Sequence, residues 1–425
     1  MRLSPSFAPL CVLAIFALML GLIVGRFELA LVAVPLVVAL LSAGSPIAAA
    51  SRIEVALVPS STSVVEDECI DLTLTMASPD AAVPAIEIVL PLPDTFVVIE
   101  GKRHVATSLR AGETFERKLT VRSIARGRCQ LGPFNLRLSD HSGLAVEEAR
   151  AGSPVVIETY PRLPGLRQLP RPWRTRFSFG NTVSTRFGAG LEPADIRPFV
   201  PGDRVRQINW RASLRLGRLH VTQFHQEQNA DIVLLLDTLA ESGAHPNSSI
   251  DAGVRAVAAL ASAYLAQKDR VGFVEFGGYL RWLKPASGRR QLKRLLQALV
   301  SADQVLTQAA RDLDYVPAAA LPRRSLVIAV SPLIDERFTN AIGDLSRRGY
   351  DVLLLAVSPV ELTRRVLPDG GVSDIACALW KFELAARLQQ LRQHGITVAE
   401  WDPEQPLDAA LAALTRRVPA RRAAA

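Results

Sequence analysis

The densest group of charged and aromatic side chains in this sequence follows a Pro-Gly turn near the middle of the chain. Residues 201–213 read PGDRVRQINWRAS and combine one carboxylate, three guanidinium groups and an indole. Pro201 and Gly202 favour a tight turn, because glycine accepts positive φ. Asp203 can accept charge-assisted hydrogen bonds from Arg197 or Arg206, since a planar guanidinium contacts a carboxylate at two points.

Trp210 is the aromatic residue of this segment. Its indole offers a large apolar face on which Arg206 or Arg211 can stack. The favoured interpretation is a structural clamp that fastens the linker onto the domain that follows, with the indole as buried core. The alternative is a docking surface for a partner, which unchanged melting and lost partner binding on loss of the indole would indicate. Catalysis is the least favoured role of the segment.

A second candidate site lies at Asp237, the last residue of the apolar stretch DIVLLLD. Such stretches are typical of strands buried in a parallel sheet. Ligands of open α/β sheets bind outside the carboxyl ends of the strands, which places Asp237, Gly277 and Ser331 at the edge of interest. Asp237 and Glu241 could form a carboxylate pair, but a solvated loop is favoured.

Motifs for known enzyme chemistries are missing. The sequence contains no Walker A motif, no GxSxG motif and no HExxH motif. Its six histidines are isolated except for His220 and His225, whose spacing suits one face of neither a helix nor a strand. We therefore expect neither an enzymatic activity nor a cofactor.

Positive charge is concentrated between residues 162 and 225. This stretch holds 12 arginines, no lysine and three acidic residues, a net of +9, whereas the whole chain carries +8. Nucleic acid is one possible target, but the regular basic-aromatic alternation of single-strand binders is missing. Anionic lipid headgroups or an acidic protein partner are favoured, and arginines that satisfy carboxylates and carbonyls between domains are the structural alternative.

Two long apolar runs open the chain. Residues 7–25 and 29–51 contain no charged residue. Each is as long as a membrane-spanning helix requires, about 20 residues, whereas the apolar part of a secretory signal has roughly 7–15. The sequence therefore predicts a transmembrane hairpin over residues 1–52, although Ala48-Ala49-Ala50 could serve as a signal-cleavage site.

The charges around the hairpin favour one orientation. Arg2 and Arg52 flank the pair on one side of the membrane, and Arg26 lies on the other. By the positive-inside rule this distribution favours a cytoplasmic body. The expected location is thus the inner or plasma membrane, with two spans and cytoplasmic soluble domains.

Residues 53–160 alternate short strand-like runs with turn residues, which predicts a small β-sandwich. The predicted strands are IEVALVP, CIDLTLTM, AIEIVLPLP, TFVVIE, ERKLTVRS and FNLRLSD. Cys69 and Cys129 both fall in this region and could pair in a secreted protein. Four scattered cysteines in so long a chain are more typical of reduced core residues than of a disulfide framework.

The remaining chain divides into an arginine-rich linker, residues 161–229, and an α/β domain, residues 230–425. In the latter, strands alternate with helices, which predicts a right-handed, doubly wound sheet. The predicted helices cover about 249–267, 289–300, 339–349, 374–394 and 407–417. The fold class is therefore multidomain: a transmembrane hairpin, a β-sandwich and an α/β domain.

The stretch GAGLEPADIRPFVPGDRVRQINWRASLRLGRLHVTQF resembles the signature of the domain of unknown function 58 family. That signature joins arginine-x-tyrosine/phenylalanine-x-proline-glycine-aspartate to a downstream isoleucine-x-tryptophan. The matching residues are Arg197, Phe199, Pro201, Gly202, Asp203, Arg206, Ile208, Trp210 and Arg211. Supporting matches occur upstream in RGRCQLGPFNLRLSDHSGL and VVIETYPRL.

The resemblance implies a membrane hairpin, a β-domain and a von Willebrand factor A-like domain in one chain. Cation-binding A domains use an Asp-x-Ser-x-Ser loop with a distant Thr and a second Asp, because magnesium needs several oxygen ligands. Here Asp237 is kept, but Leu239 and Glu241 replace the serines and Pro332 replaces the second Asp, with Asp335 three residues further on. We therefore expect no metal, and Asp237 is only a degenerate candidate.

Members of this family resemble partners of MoxR-type AAA+ ATPases. The favoured function is accordingly a membrane-anchored, cytoplasm-facing scaffold or adaptor with an A-like protein-interaction domain, acting in cell-envelope processes. Its expected partners are the bilayer and a MoxR-type ATPase, without nucleic acid. The alternatives are a metal-dependent or hydrolytic enzyme in the α/β domain and a basic nucleic-acid-binding protein.

Overall fold

The structure, a computed structural model, describes residues 2–3, 7–25, 27–42, 53–80, 82–140, 143–171, 187–203, 205, 208–225, 231–305, 315–322 and 325–415. These residues form two compact units, Met1–Tyr160 and Pro161–Ala425. Each unit encloses its own hydrophobic core.

The N-terminal apolar sequence forms one long helix and two short ones. Helix α1 (Phe7–Val24) is 18 residues long, leaves most of its surface exposed, and is long and apolar enough to cross a membrane. The second apolar run is not the single helix that was expected, because α2 (Phe27–Leu31) and α3 (Ala33–Ser42) are separate. Pro35 explains the break, since it has no N–H to donate to the carbonyl of Leu31. Residues 43–52 of the predicted hairpin lie outside the described part of the chain.

The rest of the first unit is built from short strands. They are β1 (Arg2–Leu3), β2 (Glu54–Pro59), β3 (Ser63–Val65), β4 (Cys69–Ser78), β5 (Val83–Val89), β6 (Phe96–Glu100), β7 (His104–Leu109), β8 (Glu113–Ser123), β9 (Gly127–Leu131), β10 (Phe134–Ser139), β11 (Ala145–Ala151) and β12 (Val155–Tyr160). The sheets have the orders β2-β4-β8-β6, β1-β11-β10-β5-β7 and β3-β12-β9.

One core joins the two larger sheets. Leu72 and Met76 of β4 face the same cluster as Ile86 of β5 and Leu136 of β10. The alternating burial along β4 follows the two-residue period of a strand with one buried face. The β-rich region predicted from the sequence is confirmed, although β3, β7, β9, β11 and β12 were not predicted. Cys69 is exposed, Cys129 is half-buried, and both are free.

The second unit contains the linker and the α/β domain. Its elements are β13 (Phe187–Pro198), α4 (Trp210–Leu216), β14 (His220–His225), β15 (Asp231–Asp237), α5 (Ser249–Ala266), β16 (Arg270–Phe276), β17 (Leu280–Ala286), α6 (Arg289–Val300), β18 (Leu326–Ser331), α7 (Glu336–Arg347), β19 (Asp351–Val357), α8 (Pro359–Arg364), α9 (Gly371–Gln393), β20 (Thr397–Trp401) and α10 (Leu407–Thr415).

The α/β domain is organised around a mixed sheet of order β17-β16-β15-β18-β19-β20. Five of these strands are parallel, and β17, which was not predicted, pairs antiparallel with β16 at one edge. Leu234 and Leu236 of β15 face a core that includes α5, while Val233 and Leu235 face a core that includes Phe338 of α7. Helices therefore cover both faces of the sheet, and the predicted α/β domain is confirmed.

Helix α5 is as long and apolar as a membrane span, but most of it is buried in this core. A capping box fixes its start, because Ser248 and Asp251 each bind the other's backbone N–H. Its apolar composition therefore reflects a domain core.

Candidate functional site

The signature residues lie on a β-hairpin that carries a short helix. Strands β13 and β14 pair antiparallel, with Arg197 opposite Val221 and Pro198 opposite His220. Between them, Asn209 caps α4 by accepting a hydrogen bond from Ala212 N at 3.0 Å. The helix ends at Gly217, whose φ of 68° is the left-handed cap that glycine favours. Local capping thus fixes α4 on the hairpin.

Ser213 ties this helix to the second strand. It is the buried residue of α4. Its hydroxyl donates to Asn209 O at 2.7 Å and accepts from His220 N at 2.9 Å. Asn209 N donates to His220 O at 2.8 Å, and its side chain donates to Thr222 Oγ1 at 3.1 Å. The helix is therefore fastened by polar bonds, and its apolar side chains are left for other contacts.

A two-point ion pair braces the turn before the helix. Arg197 Nη1 and Nη2 lie 2.8 Å and 2.6 Å from the two carboxylate oxygens of Asp203. The same carboxylate accepts from Val200 N at 2.9 Å, and Gly202 adopts a φ of +111°. The guanidinium holds the pKa of Asp203 below its usual value. The pairing expected between Arg197 and Asp203 is present, whereas Arg206, the other predicted donor, lies outside the described residues.

Trp210 contradicts the buried-indole interpretation. It opens α4 and is 62% exposed, and Leu214, one turn later on the same face, is 85% exposed. Val200 and Val205 of the preceding turn are also exposed. The expected burial was wrong because the polar bonds of Ser213 and Asn209 hold the helix without it. These four exposed apolar side chains are called the signature patch below.

The remaining signature residues support this surface. Phe199 and Ile208 are half-buried, and Pro201 and Gly202 are exposed at the turn. Phe199 N donates to Leu219 O at 2.8 Å, and Ile208 bridges to Val221. Arg211, which follows Trp210 in the sequence, is exposed, as are Arg215 and Arg218. The exposed side chains of this segment are therefore apolar and basic.

The attachment expected of the signature is made instead by the start of the linker. Tyr264 Oη donates to Pro170 O at 2.5 Å, and Arg171 pairs with the buried Asp269 at 2.9 Å. The backbone N–H groups of Arg167 and Gln168 donate to Asp408. The pair of Arg171 with Asp269 is of the kind that the structural alternative for the arginine-rich linker describes, although the individual partners were not predicted.

The carboxyl edge of the sheet brings Asp237 and Ser331 together, as their strand ends predicted. Ser331 Oγ donates to Asp237 Oδ2 at 2.5 Å, and Leu239 N donates to Oδ1 at 3.0 Å. Ser331 Oγ also accepts from Leu333 N at 2.8 Å. Burial raises the pKa of Asp237 to about 7, because loss of hydration disfavours the carboxylate.

The neighbouring backbone packs closely against Asp237. Gly277, the third residue predicted at this edge, leaves no room for a side chain, since an added Cβ would lie 2.0 Å from Thr238 Oγ1. Thr238 N donates to Phe276 O at 2.9 Å. Asp237 is thus enclosed by its neighbours.

The other residues of the degenerate cation loop are engaged elsewhere. Asp335 accepts from Arg337 N at 2.8 Å at the start of α7 and forms an ion pair with the Arg337 side chain at 2.7 Å. Arg337 lowers the pKa of Asp335. Leu239 is buried in the apolar core. Within the described ranges, no group of three or more His, Cys, Asp or Glu side chains is placed to hold a metal ion.

Residues 195–394 match the model of a family described as "Protein of unknown function DUF58". The match begins in β13, includes the braced turn and α4, and extends to the end of α9. The match includes the signature residues and agrees with the family resemblance predicted from them. No curated protein matches the chain.

Several solved structures share partial backbone similarity. The cupredoxin domain of amoB from Nitrosocaldus yellowstonii has a TM-score of 0.20 and 10% identity, over 28% of this chain and 96% of that chain. Native alpha-2-macroglobulin from Escherichia coli, from domain MG7 to the C-terminus, has a TM-score of 0.23 and 13% identity, over 32% of this chain and 22% of that chain. A non-cellulosomal cohesin from Archaeoglobus fulgidus has a TM-score of 0.19 and 11% identity, over 25% of this chain and 91% of that chain. Such scores indicate no shared activity.

Proposed function

We propose that this DUF58-family chain is a membrane-anchored adaptor that binds a partner protein through its signature patch. The observation that carries the proposal is the exposure of Trp210 on a turn braced by Arg197 and Asp203. Tryptophan and arginine are the residue types that most often dominate binding energy at protein interfaces. A braced turn also lowers the conformational entropy lost on binding.

The charge around the patch suggests the partner's chemistry. Arg211, Arg215 and Arg218 are exposed and close in sequence to Trp210 and Leu214, so an acidic surface with an apolar pocket is complementary. We assign this role to a MoxR-type AAA+ ATPase, on the family resemblance of the signature. The α/β unit is assigned to the von Willebrand factor A-like class, supported by its doubly wound sheet and by Asp237 at the end of its first strand.

The proposed anchor consists of α1 with α2 and α3 as a return segment, and the soluble units face the cytoplasm. A reporter fused after Ala425 tests the orientation. A reporter that works only in the cytoplasm should be active there, and clear activity from a periplasmic reporter would exclude the arrangement.

Binding can be measured with the full chain in detergent and a purified MoxR-type ATPase in the presence of ATP. Trp210→Ala should weaken binding at least tenfold, as expected for a central interface tryptophan. Tyr279→Ala is the matched control, because Tyr279 is an aromatic side chain with a similar exposure of 61% outside the signature. Equal affinities for wild type and Trp210→Ala would exclude the patch as the docking site.

A further inference from the structure

Helix α9 is apolar on two opposite faces, and one of them is not packed against the protein. Leu388 and Leu391 are buried in the core, and Cys377 is buried on the same side of the helix. Val372, Ile375, Leu379 and Phe382 lie on the other side and are between 61% and 84% exposed. These four residues are called the α9 stripe.

The spacing of the stripe is that of a helix-pairing seam. Its residues follow each other at steps of three, four and three. With 3.6 residues per turn they fall within about 80° of the helix circumference. This is the a/d pattern through which one helix packs on another.

The helix that presents the stripe is fixed from behind. Asp374 pairs with Arg364 at 2.9 Å, and Lys381 pairs with Glu361 at 2.6 Å. Both partners belong to α8, and both pairs lie on the side of α9 opposite the stripe. The stripe is therefore held in a defined position.

The flanks of the stripe distinguish a helix partner from a lipid surface. Ala376, Ala378 and Ala385 lie beside it. The charged residues on its flanks are Glu383 and, beyond its end, Arg387, whose side chain donates to the carbonyl of Leu333. A helix that lies on anionic lipid carries lysine or arginine at these positions. Small uncharged flanks instead permit the close approach of a second helix.

The order of the stripe residues makes it complementary to itself. Val372 and Phe382 are equally distant from position 377, and so are Ile375 and Leu379. An antiparallel second copy places Val372 against Phe382 and Ile375 against Leu379, so that a large side chain meets a smaller one in the outer layers. A two-fold contact requires such self-complementarity. We propose that the α9 stripe is a homodimer interface in which the α9 helices of two copies pack antiparallel.

The size of the surface suits this assignment. From their exposed fractions, the four side chains leave on the order of 500 Å² of apolar surface in solvent, which is at the upper end for a monomer. Pairing two copies would bury roughly 1,000 Å² in total, about the minimum for a specific interface.

The oligomeric state of the full chain in detergent tests the interface. Light scattering corrected for bound detergent should give twice the 46.1 kDa chain mass for wild type. Phe382→Glu and, separately, Leu379→Glu should raise the dissociation constant of the dimer at least tenfold, because each brings two carboxylates into the contact. Gln297→Glu adds the same side chain at an exposed position of α6, outside α9, and should leave the dimer intact.

Disulfide trapping tests the antiparallel direction in a full-length background without native cysteines. Val372→Cys combined with Phe382→Cys should crosslink two chains, whereas neither single variant should. The two positions are about 15 Å apart along one helix, farther than the roughly 7 Å that a disulfide can span, so the bond cannot form within one chain.

Three results would overturn the assignment. A wild-type monomer at 50–100 µM, roughly the range in which weak contacts form, would exclude the dimer. A dimer that both glutamate variants leave unchanged would place the contact elsewhere, for example in the membrane helices. Crosslinking of the single-cysteine variants would indicate parallel helices instead.

Discussion

Two aspartates of the second unit, Asp203 and Asp237, show how surroundings decide what a carboxylate does. Asp203 lies at a surface turn, where Arg197 lowers its pKa and holds it ionised. Asp237 is buried, accepts bonds from a hydroxyl and an amide, and has its pKa raised to about 7. The first braces a surface that can meet a partner, and the second closes the end of a strand. Both were candidate site residues in the sequence, yet only one lies where a ligand can reach it.

Removal of the buried carboxylate of Asp237 should have the largest effect on the free energy of unfolding. Asp237→Ala leaves Ser331 Oγ and Leu239 N without their acceptor, which should lower the free energy of unfolding by roughly 2–4 kcal/mol. Urea unfolding of the Pro161–Ala425 unit measures it. Asp369→Ala is the control, because that side chain is fully exposed and its removal should change nothing measurable. Equal losses in the two variants would mean that Asp237 is solvated.

The raised pKa of Asp237 predicts a pH dependence of the opposite sign to that of a paired carboxylate. The folded state binds the proton more tightly than the unfolded state, whose pKa is near 3.8. The stabilisation that protonated Asp237 contributes is therefore complete below about pH 4. It is lost as the pH rises through 7, by up to about 1.4 kcal/mol per pH unit. Unfolding of wild type and Asp237→Asn from pH 5 to 7.5 measures the difference. A constant difference across that range would contradict the raised pKa.

Metal addition tests whether Asp237 is closed to a cation. With Asp237 bonded to Ser331 and Asp335 paired with Arg337, we expect millimolar magnesium or a chelator to leave the Tm of the second unit unchanged. Differential scanning calorimetry checks this. A saturable rise in Tm that Asp237→Ala abolishes would show that the edge opens to bind a cation.

Loss of the surface brace should have a smaller effect on stability. Asp203→Ala removes the acceptor of Arg197 and Val200 N, but solvent can replace both bonds at this turn. Its Tm should fall less than that of Asp237→Ala, while partner binding weakens because the turn loses its fixed shape. Asp203→Asn keeps one acceptor oxygen and should recover part of the binding. A Tm loss as large as that of Asp237→Ala would restore the clamp interpretation.

The smallest stability change is expected for Trp210→Ala. The indole is largely exposed, so the free energy of unfolding should stay within about 0.5 kcal/mol of wild type. Thermal unfolding of the second unit measures it. A loss of about 3 kcal/mol or more would show that the indole is packed as core.

Most helices and strands of the α/β domain could be predicted from the spacing of their apolar residues. The helix RRQLKRLLQALV was predicted over 289–300 and is α6 over the same residues, because its apolar positions recur with the helical period. β17 was missed, since LRWLKPA mixes charge and proline with its apolar residues as an edge strand does. The break before α3 was missed because composition alone does not register the N–H that Pro35 lacks.

The chemical partners within the candidate sites could be predicted from the sequence, but the exposure of their side chains could not. The two-point contact of Arg197 with Asp203 follows from their side-chain geometry, and Asp237 and Ser331 follow from the rule that strand ends share an edge. The exposure of Trp210 could not be foreseen, because it depends on bonds between Ser213, Asn209 and β14 that no periodic pattern encodes.

The edge strand β17 also bears on solubility. An unprotected edge presents a row of free N–H and C=O groups on which another chain can continue the sheet. Lys284 and Pro285 interrupt that row, since a lysine charge resists burial in an extended sheet and proline offers no N–H. The β17 edge is therefore poorly suited to continuation of the sheet by a strand of another chain.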